Sequence, residues 1–341
     1  MKKGFEYYYR PNNEAVDNII KSGTLVFDTN VLLDVFRVEN KSSQTLLKLF
    51  DALKERVKLP YHVVEEYHEE YLSVLVKQKV SLQNAVKTLK NKEKGLLVYS
   101  RNSDFSGLSK YAKTIMDVSL EKAVKSITES YSKTIKHLEN EIHNDLIINK
   151  LSDIFSDSVL PPLTDEELKS IYNEGITRYN KQVPPGYKDA SKDKDGLLKK
   201  NKGSDVDEDR FNLFGDLVIW KEILKYADTH QVDMVFVSND VKEDWVCEIC
   251  NEKHGPRIEL LEEYYSHSSG HTILVYSFEH FISRLNSLMG IVSEKELKTA
   301  INSLDEPGRR EERLKSRALK TVSEAPALWP SFGDVKGSAA I

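Results

Sequence analysis

Cysteine is scarce: the 341 residues contain two. A disulfide framework is excluded, and a reducing cytoplasm is the natural setting. Long apolar runs are missing as well. Nothing approaches the roughly 20 residues of a membrane span, so no membrane partner is expected. The start, Met1-Lys2-Lys3-Gly4-Phe5, carries two lysines without an apolar core behind them and does not read as a signal peptide. No Gly-x-Gly-x-x-Gly follows an apolar run and no Walker-type glycine loop occurs, which disfavours a dinucleotide or P-loop site. There is no internal repeat. Net basic charge is also absent: the formal charge is −5, so a nucleic-acid partner would have to be met by a local basic surface.

What the chain does have is a short apolar run that ends in an acid. Thr24-Leu25-Val26-Phe27 reads as a buried strand. Asp28 closes it, Asn30 follows two residues later, and the pattern turns helical with Leu32, Leu33 and Phe36. In open α/β sheets ligands bind at the carboxyl ends of the strands. Asp28 alone reads equally well as the N-cap of the next helix. A second short strand is expected at Val57-Lys58-Leu59, stopped by Pro60, and a long helix begins at Tyr61. A strand, helices and a strand in that order is the unit from which parallel sheets are made.

Composition then divides the chain into four parts. Residues 1–75 and 184–290 carry the strand and helix signals of one α/β domain. Residues 76–183 are rich in Lys, Glu, Ser, Asn and Leu, and Leu120, Val124, Ile127, Tyr131, Ile135 and Leu138 recur at steps of three or four. That spacing fits an inserted helical arm of coiled-coil or hairpin type, either a solvated structural element or a surface for substrate, a protein partner or self-association. Residues 291–341 are polar, with a basic cluster from Arg309 to Arg317, and read as a flexible tail.

Several acids have positions from which they could meet. Asp240 ends the predicted strand Asp233–Ser238. Asp216 lies in the first turn of a predicted helix, where the helix dipole favours an anion. Asp244 lies four residues after Asp240 and would share its face in a helix. Glu65 and Glu66 stand early in the helix after the second strand. In a parallel sheet all these positions fall at one edge. Crowded carboxylates repel unless a cation neutralises them, and hard oxygen ligands favour Mg2+ or Mn2+ over zinc. Each acid also has a plainer reading as a cap or surface charge.

Five stretches in sequence order resemble the PIN-domain nucleases, in a bacterial PIN-like branch with a helical insertion. They are Phe27-Asp28-Thr29-Asn30, the Pro60 to Glu66-Tyr67 segment, Pro184-Pro185-Gly186-Tyr187-Lys188-Asp189, Gly215-Asp216-Leu217-Val218-Ile219-Trp220, and Ser238-Asn239-Asp240-x-Lys242-x-Asp244-Trp245. The likeness runs from about residue 5 to residue 288 and includes Gly255-Pro256-Arg257. It implies a three-layer α/β/α fold with a central parallel sheet. It implies metal-dependent phosphodiester cleavage, of RNA more than DNA, with Mg2+ or Mn2+, and a toxin or defence role by analogy. The family roles would fall on Asp28, Glu66, Asp216 and Asp240 as catalytic metal-site acids. Asp244 would be an outer metal ligand, Asn30 and Asp189 would support the site, and Lys242 and Arg257 would meet substrate phosphate.

Two other function classes stay open at this point. A phosphatase of the haloacid dehalogenase type also begins with a strand ending in Asp, but it needs an acid two residues on. Here that residue is Asn30, which cannot act as a general acid. A non-catalytic scaffold, binding nucleic acid or protein through the arm and basic tail, is the second. Cys247-Glu248-Ile249-Cys250 gives half of a zinc site, and two of His254, His267 and His271 would be needed to close it.

Overall fold

The computed structural model describes residues 1–102, 110–192, 213–239, 243–250 and 252–304. It divides into two compact units, Met1–His68 with Ser152–Ile341, and Glu69–Leu151.

The first unit is built on three parallel strands, β1 (Thr24–Phe27), β2 (Met234–Val237) and β5 (Ile273–Tyr276), in the order β1-β2-β5. Each strand is four residues of almost wholly buried apolar or aromatic side chains, as expected when both faces of a parallel sheet are covered. On one face Phe27 meets Phe50 at 5.2 Å and Phe281 at 6.1 Å between ring centroids. These belong to helices α3 (Asn40–Leu53) and α10 (Phe278–Met289). On the other face Phe236 stacks on Trp245 at 4.7 Å, and Trp245 meets Trp220 of α8 (Gly215–His230) edge-on. The result is the expected α/β/α sandwich.

The register fixes the edge that matters. Phe27 pairs with Val237, and Val237 with Tyr276. Asp28, Ser238 and Ser277 therefore leave the sheet side by side. The strand expected at 57–59 is reduced to isolated parallel bridges, Leu25 to Val57 and Leu59 to Val159. Pro60 follows at once and has no N–H to extend the ladder. Val159 and the helix α7 (Asp165–Asn180) belong to the first unit, although the sequence reading assigns both to the arm. Helix α1 (Asn13–Ser22) precedes β1, capped by Asn12. Helix α2 (Thr29–Arg37) follows β1.

Three features have no counterpart in the sequence reading. An antiparallel hairpin joins β3 (Val246–Ile249) to β4 (Glu252–Pro256). Helix α9 (Ile258–His267) follows it. The stretch read as a polar tail opens with α11 (Glu294–Leu304), which lies against α3. Ala300 is fully buried there and Ser303 hydrogen-bonds Ser42 at 2.9 Å. Residues 305–341, with the basic cluster, lie outside the described residues.

The second unit contains most of α4 (Tyr61–Asn102) and α5 (Lys110–Asn144), and the start of α6 (Leu146–Ile154). The described side chains of its helices are mostly polar, with Leu75, Val124, Leu138, Ile147 and Leu151 buried. Among the described residues no helix is long and apolar enough to cross a membrane.

Candidate active site

Asp28 caps α2, its Oδ1 accepting from the Thr29 amide at 2.8 Å. The cap and the site readings are compatible, because the second oxygen faces the neighbouring strand. Asp28 Oδ2 accepts from the Asn30 amide at 2.5 Å and from the Ser238 hydroxyl at 2.5 Å. Asn30 also donates to Ser238 at 3.2 Å and accepts from the Asn239 backbone at 2.8 Å. Asn239 in turn accepts from the Phe278 amide at 3.1 Å and donates to Asp34, which holds Arg37 at 3.0 Å. The ends of β1 and β2 and the start of α10 are thus joined by side chains.

Glu66 is tied to the same strand end from α4, accepting from the Thr29 hydroxyl. The charge of its neighbour Glu65 bears on Glu222, in α8. Adjacent helical residues point about 100° apart, so the two glutamates do not share one direction.

A second group of acids gathers around Tyr179. Burial first, and then the charges of Asp216, Asp189 and Asp244, push the Tyr179 phenol well above its ordinary pKa. Asp216 sits half-buried in the first turn of α8 and accepts from the Trp245 indole at 3.3 Å. Asp244 is buried and accepts from the Lys188 amide at 3.2 Å. The loop carrying Lys188 and Asp189 approaches closely only because residue 186 is glycine. Its φ is +84°, and a Cβ there would come within 2.8 Å of the Asp216 Cβ. Gly215 has a similar role, since a Cβ would lie 2.9 Å from the His62 Nε2. His62 is one helical turn before Glu66, so the start of α4 connects the two groups of acids.

Beneath them lies a buried pair. Glu222 accepts from the His62 amide at 3.2 Å. Burial raises the Glu222 carboxyl to about 8 and lowers the His62 imidazole to about 4. Both groups are therefore held neutral near pH 7.

Other predicted site residues fall as follows. Asp240 and Lys242 lie outside the described residues. Asp244 is in a turn that leads into β3, not in a helix. Arg257 has its guanidinium bonded to Glu259 at 2.7 and 3.2 Å. Cys247 is on strand β3 and Cys250 is exposed in the hairpin turn, with φ +54°. His267 and His271 face Asp228 and Asp233 at 3.8 and 3.4 Å. Among the described residues no group of three His, Cys, Asp or Glu side chains is placed to hold a metal ion. The acids of the two groups offer carboxylate oxygens, a donor type that suits Mg2+ or Mn2+.

The sequence motifs include Thr29, Ser238 and Asn239 without giving them a role, and leave Asp34 unnamed; Thr29 and Ser238 bond Asp28 and Glu66, while Asn239 and Asp34 brace Asn30 behind them. The one signal available was the Ser-Asn pair directly after an apolar strand.

Likeness to known proteins is found at the level of a family. A family model described as PIN like domain matches residues 24–260, well over half of the sequence. Comparisons with curated proteins and with solved structures gave no match.

Proposed function

The chain belongs to the PIN-like domain family, and from that premise we propose that it is a metal-dependent nuclease that hydrolyses phosphodiester bonds. PIN-like domains are in general nucleases. The finer reading is ours: RNA is favoured over DNA, and the setting is a bacterial toxin or defence system. The observation that carries it is that Thr29 bonds both Asp28, at the end of β1, and Glu66, in the first turns of α4, so that carboxylates from two separate elements flank one residue at the edge of the sheet. Asp216, in the first turn of α8, belongs to the second group of acids, around Tyr179.

Asp28, Glu66, Asp216 and Asp240 would hold the ion, with Asp244 outside them. When bound, a divalent ion supplies a water of lowered pKa and neutralises charge on the phosphate. The chain's own residues do the rest. Ser238, Asn30 and the Thr29 amide fix the orientation of Asp28. The Thr29 hydroxyl fixes Glu66. Gly186 brings the Lys188–Asp189 loop against Asp216. The amide of Lys188 holds Asp244. Such outer hydrogen bonds keep ligand oxygens aimed without reorganisation when substrate arrives.

The haloacid dehalogenase reading gains nothing from this arrangement. Asn30 spans Asp28 and Asn239, and no acid stands where that chemistry needs one. The testing experiment incubates the purified protein with labelled RNA, single-stranded DNA and duplex DNA, in Mg2+, Mn2+ or EDTA. Metal-dependent shortening of the RNA supports the reading. A stable phosphoenzyme, or no cleavage of any substrate with either metal, opposes it.

A further inference from the structure

The Glu69–Leu151 unit differs in charge from the rest of the chain. Its sequence carries fourteen lysines and arginines against ten aspartates and glutamates, a net of +4 within a chain of net −5. Between α4 and α5 this unit forms a groove of about 450 Å³. Lys90 lines it from α4, and Lys125, Lys133 and Lys136 line it from α5, with Glu93 and Glu129 beside them. All four lysines are exposed. Among the described residues none of the four forms an ion pair, so their charges are not taken up by the fold.

The spacing suits a chain of charges better than a single ion. Positions 125, 133 and 136 fall on one face of α5. At 1.5 Å rise per residue they extend over about 16 Å. Lysine is a compact, strongly hydrated charge on a flexible stem, so it follows a backbone of phosphates without demanding a fixed geometry. Neutralising phosphates releases condensed counterions, which gives affinity that ignores sequence and falls with salt.

We propose that this groove binds the phosphate backbone of nucleic acid. The choice of nucleic acid over another polyanion rests on the nuclease reading above. The groove itself is independent of the carboxylate site.

The test uses the full chain in EDTA, so that binding is read without cleavage. Short labelled single-stranded RNA, single-stranded DNA and duplex DNA are titrated by fluorescence anisotropy over a range of salt. The variant Lys90→Gln/Lys125→Gln/Lys133→Gln/Lys136→Gln should bind single strands about 10-fold more weakly. Its log–log salt slope should be shallower by about 3, at roughly 0.7 for each phosphate no longer neutralised. A control, Lys77→Gln/Lys87→Gln/Lys92→Gln/Lys122→Gln, changes exposed lysines outside the groove and should bind nearly as the parent does. All eight side chains are exposed, so both variants should keep the helical circular dichroism of the parent. Equal affinity and slope in parent and groove variant would overturn the proposal, and so would an equal loss in the control. Binding of polyglutamate with the same lysine dependence, and none of nucleic acid, would assign the groove to an acidic protein instead. A protein that binds through these lysines yet cleaves nothing with metal would remove the nuclease reading and leave the groove standing.

Discussion

Asp28 accepts from the Thr29 amide, the Asn30 side chain and the Ser238 hydroxyl, so its orientation is set before any ligand arrives. Three expectations belong to this scale. Asp28→Asn should abolish cleavage yet melt close to the parent temperature. The amide can still accept from Thr29, and removing one charge from a group of acids relieves repulsion. Full activity in a normally folded Asp28→Asn variant would take this residue out of the site. Ser238→Ala should leave the acid in place but less firmly aimed, slowing cleavage by about 10- to 100-fold, with little change in melting temperature. Glu65 and Glu66 make the sharpest comparison. Glu66 is tied to Thr29, whereas Glu65 bears on Glu222. Across a Mg2+ titration, Glu66→Gln should cleave poorly and need more metal, and Glu65→Gln should behave as the parent. The reverse result would mean that the other face of α4 meets the substrate.

At the scale of elements, two carboxylates, half-buried Glu263 and buried Glu222, hold helices together in opposite ways. Burial alone would raise Glu263, but hydrogen bonds from Arg178, and then from Lys221 and Trp220, bring it down to about 2. It joins α9 to α7 and α8. Its folded pKa is depressed, so its contribution is present above the ordinary carboxylate value of about 4.5 and is lost as pH falls toward 2. Glu263→Gln should cost about 3 kcal/mol at pH 7 by denaturant unfolding, and much less near pH 2. Glu222 has the opposite sign. The unfolded chain releases this proton near 4.5 and the folded chain keeps it to about 8, so stability falls as pH rises between those values. His62 works against it below its ordinary value of 6.5, since its folded pKa of about 4 costs stability as pH falls from 6.5. Only Glu222 acts between 6.5 and 8. There the parent should lose about 2 kcal/mol relative to Glu222→Gln. Parallel pH profiles for the two proteins would show that Glu222 is ionised in the folded state.

Taken as a whole, the molecule shows which features a sequence reveals and which it hides. The strands β1, β2 and β5 were legible because they are short apolar runs with turns after them. Helix α8 was legible because Leu217, Trp220, Leu224 and Ala227 recur at helical spacing. The hairpin at 246–256 was missed because its two cysteines draw attention to metal chemistry, whereas Val246, Cys247, Glu248 and Ile249 form an ordinary strand. Helix α11 does carry an apolar stripe, Leu297, Ala300, Ile301 and Leu304 at helical spacing, but it is short and set among charged residues, so the stretch reads as a polar tail. Of the candidate site, the acids could be named from motifs. The hydrogen bonds of Ser238 and Asn239 could not, because they depend on the parallel register that sets Phe27 beside Val237.

The nuclease reading stands or falls on cleavage by the pure protein of labelled single-stranded RNA in Mg2+ or Mn2+, with EDTA and Asp28→Asn as the two controls. Cleavage that needs the metal and disappears in both controls is the expected outcome. Cleavage that continues undiminished in excess EDTA, or in the Asp28→Asn protein, would contradict it.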